Sequence, residues 1–248
     1  MFFQRIEKIL KRNIKHHFYD IPIAQCVHYC AFRYGSKCPP PYECYIRTLD
    51  CGRQTTARDE FIESLIYYRP GYMQEAIGIT DSDLKTALWR YPWNNNTDIF
   101  DLHKGWSECP NEPPDIMTHF SPAGILRFRI EQEFAWLENS YYNMKKNGFR
   151  NDFSNDSCRL YCLEDLSGTC RYIVENGNHR IAALAALGAQ TVSAEIIRTI
   201  RASEVTRWPG VISGIFSREE ALNIFNAYFS DTEHYRTTSI PAKVIETV

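Results

Sequence analysis

The sequence lacks any hydrophobic run that approaches the roughly 18 residues of a membrane-spanning helix. Its first 17 residues interrupt every apolar run with a charge, so they do not form the hydrophobic region of a secretory signal. It also lacks a strong charge imbalance, because the formal net charge is −2. A general attraction to nucleic acid or anionic membranes is therefore excluded, and such a contact needs a local basic patch. We expect a cytoplasmic protein.

The chain also lacks the Cys-x-x-Cys pairs that are typical of zinc sites. It contains nine cysteines, and five of them fall between residues 26 and 51. The tightest of these pairs, Cys26 and Cys30, has three residues between its members. We predict reduced thiols and no protein metal site, with a zinc site in this segment as the alternative.

What is present is the composition of a globular protein, with 44% hydrophobic and 23% charged residues. A length of 248 residues allows one large domain, or a compact domain with an extension. Residues 91–122 are rich in Pro, Asn, Asp and Trp and predict a long ordered loop or a linker. We therefore predict a helical and irregular N-terminal extension over residues 1–118 and a core over residues 119–248.

The extension contains one amphipathic segment. Residues 2–17 predict a basic helix that either docks on its own domain or makes a peripheral contact with a membrane surface or a partner. Residues 18–55 read as irregular because proline and glycine punctuate them. Residues 57–68 and 81–90 predict short helices.

The core segment alternates between helical and strand patterns. A helix over residues 123–147 ends at Gly148, and a second over residues 179–187 ends at Gly188. A capping box, Ser217-x-x-Glu220, begins a last helix. Short strand-like runs predict strands over residues 159–163, 172–174 and 192–197. The fold class that follows is α+β, a small mixed β-sheet flanked by helices.

One strand–turn–helix segment, residues 172–188, carries the clearest site signal. Its centre reads Glu175-Asn176-Gly177-Asn178-His179-Arg180. Gly177 can adopt a positive φ and allows a ligand to approach the backbone. The amides of the three residues after it lie at a helix N-terminus, where an anion is stabilised. Hence an anion- or phosphate-binding turn is predicted here.

Two side chains of the turn suit phosphate chemistry. Arg180 offers a forked set of donors, and His179 can donate to an oxygen or transfer a proton near neutral pH. The alternative is structural, because glycine turns between strands and helices are common. In that case His179 and Arg180 form a surface pair at a helix start.

The tetrapeptide Gly177-Asn178-His179-Arg180 resembles the Gly-x-His-Arg turn of the ParB/sulfiredoxin-like superfamily. Ala183, Leu187 and Gly188 fit the helix and stop that follow the turn in that superfamily. The segment NMKKNGF, residues 143–149, is similar to its Ser-Ile-x-x-x-Gly segment. The resemblance covers roughly residues 119–200, and it implies a compact core that holds nucleotide phosphates at the turn.

This resemblance implies ATP or ADP, or CTP, together with Mg²⁺. The nucleotide-binding residues that it implies are Asn143, Asn176, Gly177, Asn178, His179 and Arg180. Sulfiredoxins have cysteine where this chain has Asn178, and chromosome-partition modules have Glu-Arg-Arg after the glycine. Free-serine kinases have aspartate where Asn176 stands, and asparagine cannot accept a proton as a base. The known chemistries therefore do not carry over directly.

The general base remains open among several side chains. Candidates are His179, Glu175 and His119, and on the long helix Glu131 or Glu133. Each has a structural alternative, such as a solvated ion pair between Glu131 and Arg127. Arg127 or Arg129 is a candidate for a second phosphate contact.

We predict a nucleotide-binding phosphotransferase that acts on a small hydroxylated metabolite or sugar; the resemblance extends to chains of surface-polysaccharide biosynthesis. The alternative is a ParB-like nucleotide-sensing or DNA-binding module. The basic tracts at residues 5–17 and 145–150 lie in no recognisable helix-turn-helix, which argues against nucleic acid. A third alternative is a structural partner in an assembly, since 14% of the residues are aromatic.

Overall fold

A computed structural model describes residues 17–67, 72–79, 82–86, 90–94, 127–149 and 157–230. Its strands are β1 (Phe18–Pro22), β2 (Cys26–Val27), β3 (Cys158–Glu164), β4 (Cys170–Asn176) and β5 (Thr191–Arg201). Its α-helices are α1 (Pro41–Asp50), α2 (Gln54–Tyr67), α3 (Met73–Ala76), α4 (Arg127–Asn147), α5 (Asn178–Ala186), α6 (Pro209–Ile212) and α7 (Arg218–Ala227). Two 3-10 helices span Ile23–Gln25 and Ala202–Arg207.

The five strands form one mixed sheet in the order β1-β5-β3-β4-β2. The pairs β1/β5 and β3/β4 are antiparallel, whereas β3/β5 and β2/β4 are parallel. Helices pack on this sheet, which confirms the α+β class. The first and last positions of the sheet are filled by strands from residues 18–27, so this part of the N-terminal segment is integral to the sheet.

Both faces of the sheet are covered, as neighbouring residues of β4 show. Ile173 belongs to one hydrophobic cluster and Val174 to another, because successive side chains of a strand point to opposite faces. The first layer contains Trp93, Trp208 and Phe225. The second layer is built largely from α1, α4 and α5. The turn at Gly177 lies on the side of this second layer.

Helix α5 is slim on the face that packs against its neighbours. Ile181, Ala182 and Ala183 are fully buried, and Leu184 is nearly so. Small side chains permit a close approach, so α1 and α4 can pack near the first turn of α5. This proximity is what brings side chains from distant segments to that turn.

The structure confirms most sequence-based elements of the core. Gly148 ends α4 with a φ of 68°, and its backbone N–H donates a hydrogen bond of 2.9 Å to the Met144 carbonyl. Ser217 and Glu220 form the predicted capping box at α7. The helix predicted over residues 57–68 corresponds to α2.

Two local predictions are wrong. Residues 18–55 are not irregular, since β1, β2 and α1 lie within them; tertiary pairing with β5 and β4 overrides the proline and glycine signals. Residues 82–86 form no helix, and the Ser82 hydroxyl instead bonds the backbone of Leu84. The predicted helix over residues 2–17 and the boundary near residue 118 lie outside the described residues, apart from His17. Among the helices of the described residues, none combines the length and apolar character required to span a bilayer.

Candidate functional site

The turn between β4 and α5 is built on Gly177. Its φ is 101° and its ψ 20°, in the left-handed region, and it caps α5 without any side-chain hydrogen bond. A Cβ placed on Gly177 would lie 2.7 Å from the Cys158 Sγ and 3.3 Å from the Cys158 Cα. Glycine is therefore required here by both conformation and packing against β3. The main chain at the start of α5 is held close to the sheet.

His179 forms the central contact of the site. Its Nε2 lies 2.9 Å from the Oε2 of Glu133 in α4. The Glu133 side chain is 9% exposed and that of His179 is 25% exposed. A carboxylate at this distance fixes the orientation and the tautomer of an imidazole. The pair is a half-exposed histidine backed by a buried acid.

Two aromatic side chains flank the His179 ring. Tyr42 of α1 meets it edge-on, with ring centroids 5.0 Å apart and an interplanar angle of 73°. Trp136 of α4 lies on it at 5.8 Å with an angle of 38°. Trp136 remains 36% exposed. The imidazole of α5 is thus held by a carboxylate and a ring from α4 and by a second ring from α1.

The Tyr42 ring also packs against two other aromatic side chains. It packs against Phe61 at 5.9 Å and against His28 at 5.6 Å between centroids. Burial raises the pKa of Tyr29 well above its ordinary value, and a hydrogen bond with Tyr42 adds to this effect. Tyr29 therefore stays a neutral phenol. The aromatic side chains around Tyr42 thus include one phenol, that of Tyr29, which stays protonated.

The remaining turn residues are tied to the protein. The buried Tyr34 hydroxyl donates to the Oδ1 of Asn178 at 2.8 Å. The Asn176 side-chain amide and the Arg180 guanidinium both donate to the Ser157 carbonyl, at 3.4 and 3.5 Å. Asn176 and Asn178 thus orient the turn, and Arg180 lies partly exposed beside it.

Glu175 is next to the turn in sequence but lies on the opposite face of the sheet from α5. Its partner is Arg159, with an Oε2–Nη1 distance of 3.6 Å, and Arg159 also approaches Glu195 at 4.0 Å. Burial raises the pKa of the Glu175 carboxyl, Arg159 lowers it and Glu195 raises it. The alternation of strand side chains separates Glu175 from His179.

Other predicted site residues also lie apart from the turn. Glu131 is 54% exposed and pairs with Arg58 at 3.5 Å. Asn143 is exposed and accepts a bond from Asn147, and the helical rise places it about 15 Å along α4 from Glu133. His119 and the side chains of Arg127 and Arg129 lie outside the described part of the chain. Of the two acidic candidates on α4, the structure brings Glu133 to the turn.

Sequence reasoning missed Tyr34, Tyr42 and Trp136. Trp136 had one usable signal, since it follows Glu133 by three residues and so shares its helix face. Tyr34 and Tyr42 belong to a segment interpreted as irregular, so no periodicity pointed to them. Within the described ranges, no group of three or more His, Cys, Asp or Glu side chains is placed to hold a metal ion.

Comparison with known proteins yields no match: not to a family model, not to a curated protein sequence and not to a solved structure. The geometry of the turn therefore carries the functional argument by itself.

Proposed function

We propose that the chain is a nucleotide-dependent phosphotransferase whose centre is the His179–Glu133 pair beside the Gly177 turn. The 2.9 Å contact between these two side chains is the observation that carries the proposal. It gives a half-exposed imidazole a buried carboxylate partner, which is the arrangement a general base requires.

The pair defines which nitrogen accepts the proton. In the proposed mechanism Glu133 accepts the hydrogen bond and the Nε2 of His179 donates it at 2.9 Å, so Nδ1 is the nitrogen that takes the proton. In the reaction, the acceptor hydroxyl oxygen forms a bond to the terminal phosphorus of the nucleotide. The bond from that phosphorus to the bridging oxygen breaks, so the nucleotide leaves with one phosphate fewer (ADP from ATP, AMP from ADP), and the hydroxyl proton passes to Nδ1. Glu133 stabilises the imidazolium that results.

The turn supports nucleotide phosphates beside this base. No side chain caps α5 at Gly177, so the first amides of the helix retain the polarity that favours an anion. Arg180 adds a permanent positive charge next to them. Phosphoryl transfer depends mainly on such positioning and charge. Magnesium would arrive with the nucleotide, which supplies most of its oxygen ligands.

Nucleotide binding is tested by thermal unfolding of the full chain with ATP, ADP or CTP, with and without Mg²⁺. A nucleotide at 100 times its Kd adds about 2.7 kcal/mol of stability. At about 2–4 °C per kcal/mol for a chain of this size, Tm should rise by about 5–10 °C. The absence of a shift with every nucleotide contradicts the proposal.

Matched variants locate the site. Arg180→Ala should abolish the nucleotide shift, whereas Arg198→Ala, an exposed arginine on β5, should retain it. Glu133→Gln should retain nucleotide binding but lower kcat, because a glutamine does not stabilise the imidazolium. Circular dichroism of each variant verifies the fold. If Arg180→Ala and His179→Ala both keep the nucleotide-induced rise in Tm, the turn is not the nucleotide site. A salt-sensitive gel shift of duplex DNA would favour the ParB-like alternative.

A further inference from the structure

Trp136 lies beside His179 but takes no part in the proposed proton transfer. It follows Glu133 by one turn of α4, so both side chains share one helix face. Its ring lies 5.8 Å from that of His179, and it is 36% exposed. A large apolar ring kept at the surface beside a candidate base offers a platform for a ligand.

The position of the base limits which part of a ligand can occupy that platform. The reacting hydroxyl must approach within about 3 Å of His179 to transfer its proton. Whatever carries this hydroxyl therefore lies next to His179, within reach of the Trp136 ring. The nucleotide base does not meet this condition, because the ribose and the remaining phosphates separate it from the transferred phosphoryl group.

The chemistry of the platform selects a type of acceptor. One face of a cyclic sugar is formed by C–H groups that pack on an aromatic ring, while its hydroxyls project from the edge towards polar partners. A flexible acyclic polyol presents no such face and loses more conformational entropy when it is ordered. Of the two rings that flank His179, Tyr42 is partly buried and Trp136 is exposed, so we place the acceptor on the Trp136 side.

We propose that the acceptor is a cyclic sugar whose ring stacks on Trp136 while one hydroxyl reaches His179. This substrate assignment rests on the proposed phosphotransferase function. Trp136 is then the residue that determines acceptor specificity, and Glu133 acts through His179 as a positioning residue.

Saturation-transfer NMR on the full chain tests the assignment without requiring turnover. The probes are glucose, galactose, mannose and N-acetylglucosamine, with sorbitol and glycerol as acyclic controls. At least one cyclic sugar should receive saturation at its ring C–H protons, and the acyclic probes should not. Trp136→Ala should weaken sugar binding by about three- to tenfold. Trp136→Phe should retain most of the binding.

Tyr142→Ala is the matched control, since Tyr142 is an aromatic residue of the same helix and is 52% exposed. It should leave the sugar signals unchanged. The assignment is overturned if no cyclic sugar binds, if sorbitol binds equally well, or if Trp136→Ala binds as the wild type does. It is also overturned if Trp136→Ala loses ADP binding but keeps the sugar. If the wild-type chain still shows the nucleotide-induced rise in Tm, the phosphotransferase proposal stands even when the sugar assignment fails. If the wild type shows no such rise, both proposals fail.

Discussion

Replacement of Gly177 by alanine should destabilise the fold through two effects, the conformation of the backbone and the packing of the new methyl group. A residue with a Cβ costs about 1–2 kcal/mol in the left-handed region, and Gly177 has a φ of 101°. The new methyl group would also lie 2.7 Å from the Cys158 Sγ, and overpacking of an interior costs about 1–3 kcal/mol. We expect a loss of about 2–5 kcal/mol, or a Tm lower by about 4–20 °C.

Gly188 provides the matched control. It has a φ of 79°, and a Cβ placed there would meet nothing within 4 Å. Gly188→Ala should therefore lose only the conformational part, about 1–2 kcal/mol. Urea unfolding of both variants measures the difference in the free energy of unfolding.

A double-mutant cycle assigns that difference to Cys158. In a Cys158→Ala background the nearest atom is removed, so Gly177→Ala should cost less than it does in the wild type. Equal losses for Gly177→Ala and Gly188→Ala, or no coupling with Cys158, would refute the argument that close packing on β3 requires this glycine.

Two further variants test electrostatics away from the turn. Glu175→Gln should raise Tm at neutral pH, because burial raises the pKa of Glu175 and so disfavours its ionised form in the folded state. This penalty is fully present above the raised pKa and is lost as the pH falls below the ordinary value, so the gain should vanish below about pH 4; a gain independent of pH would contradict it. Arg47→Met should lower the free energy of unfolding by about 3 kcal/mol, since the fully buried Glu43 loses its 2.6 Å ion pair. Urea unfolding measures this loss, and a loss no larger than that of Arg198→Met would contradict it.

The periodic part of the core was predictable because local chemistry determines it. The short strand-like runs of β3 and β4, the apolar stripe of α5 and the capping box of α7 each depend on residues within a few positions of one another. The same is true of Gly177, whose place between a strand and a helix predicted a positive φ. The sequence also identified His179 as a candidate without giving its partner.

The N-terminal strands could not be predicted in this way. β1 and β2 have five and two residues, and β1 ends at a proline, so they carry little pattern of their own. They exist as strands because β5 and β4 offer them edges to pair with. Which of Glu131 and Glu133 lies beside the turn could not be predicted either, since it depends on which face of α4 meets α5.

By itself, therefore, the sequence determined a glycine turn with a histidine and an arginine at a helix start. Tertiary structure decided what surrounds that turn. His179 meets Glu133 across 46 residues of chain, and Asn178 meets Tyr34 across 144. Such contacts depend on how helices pack across a sheet, and no short-range pattern records that arrangement.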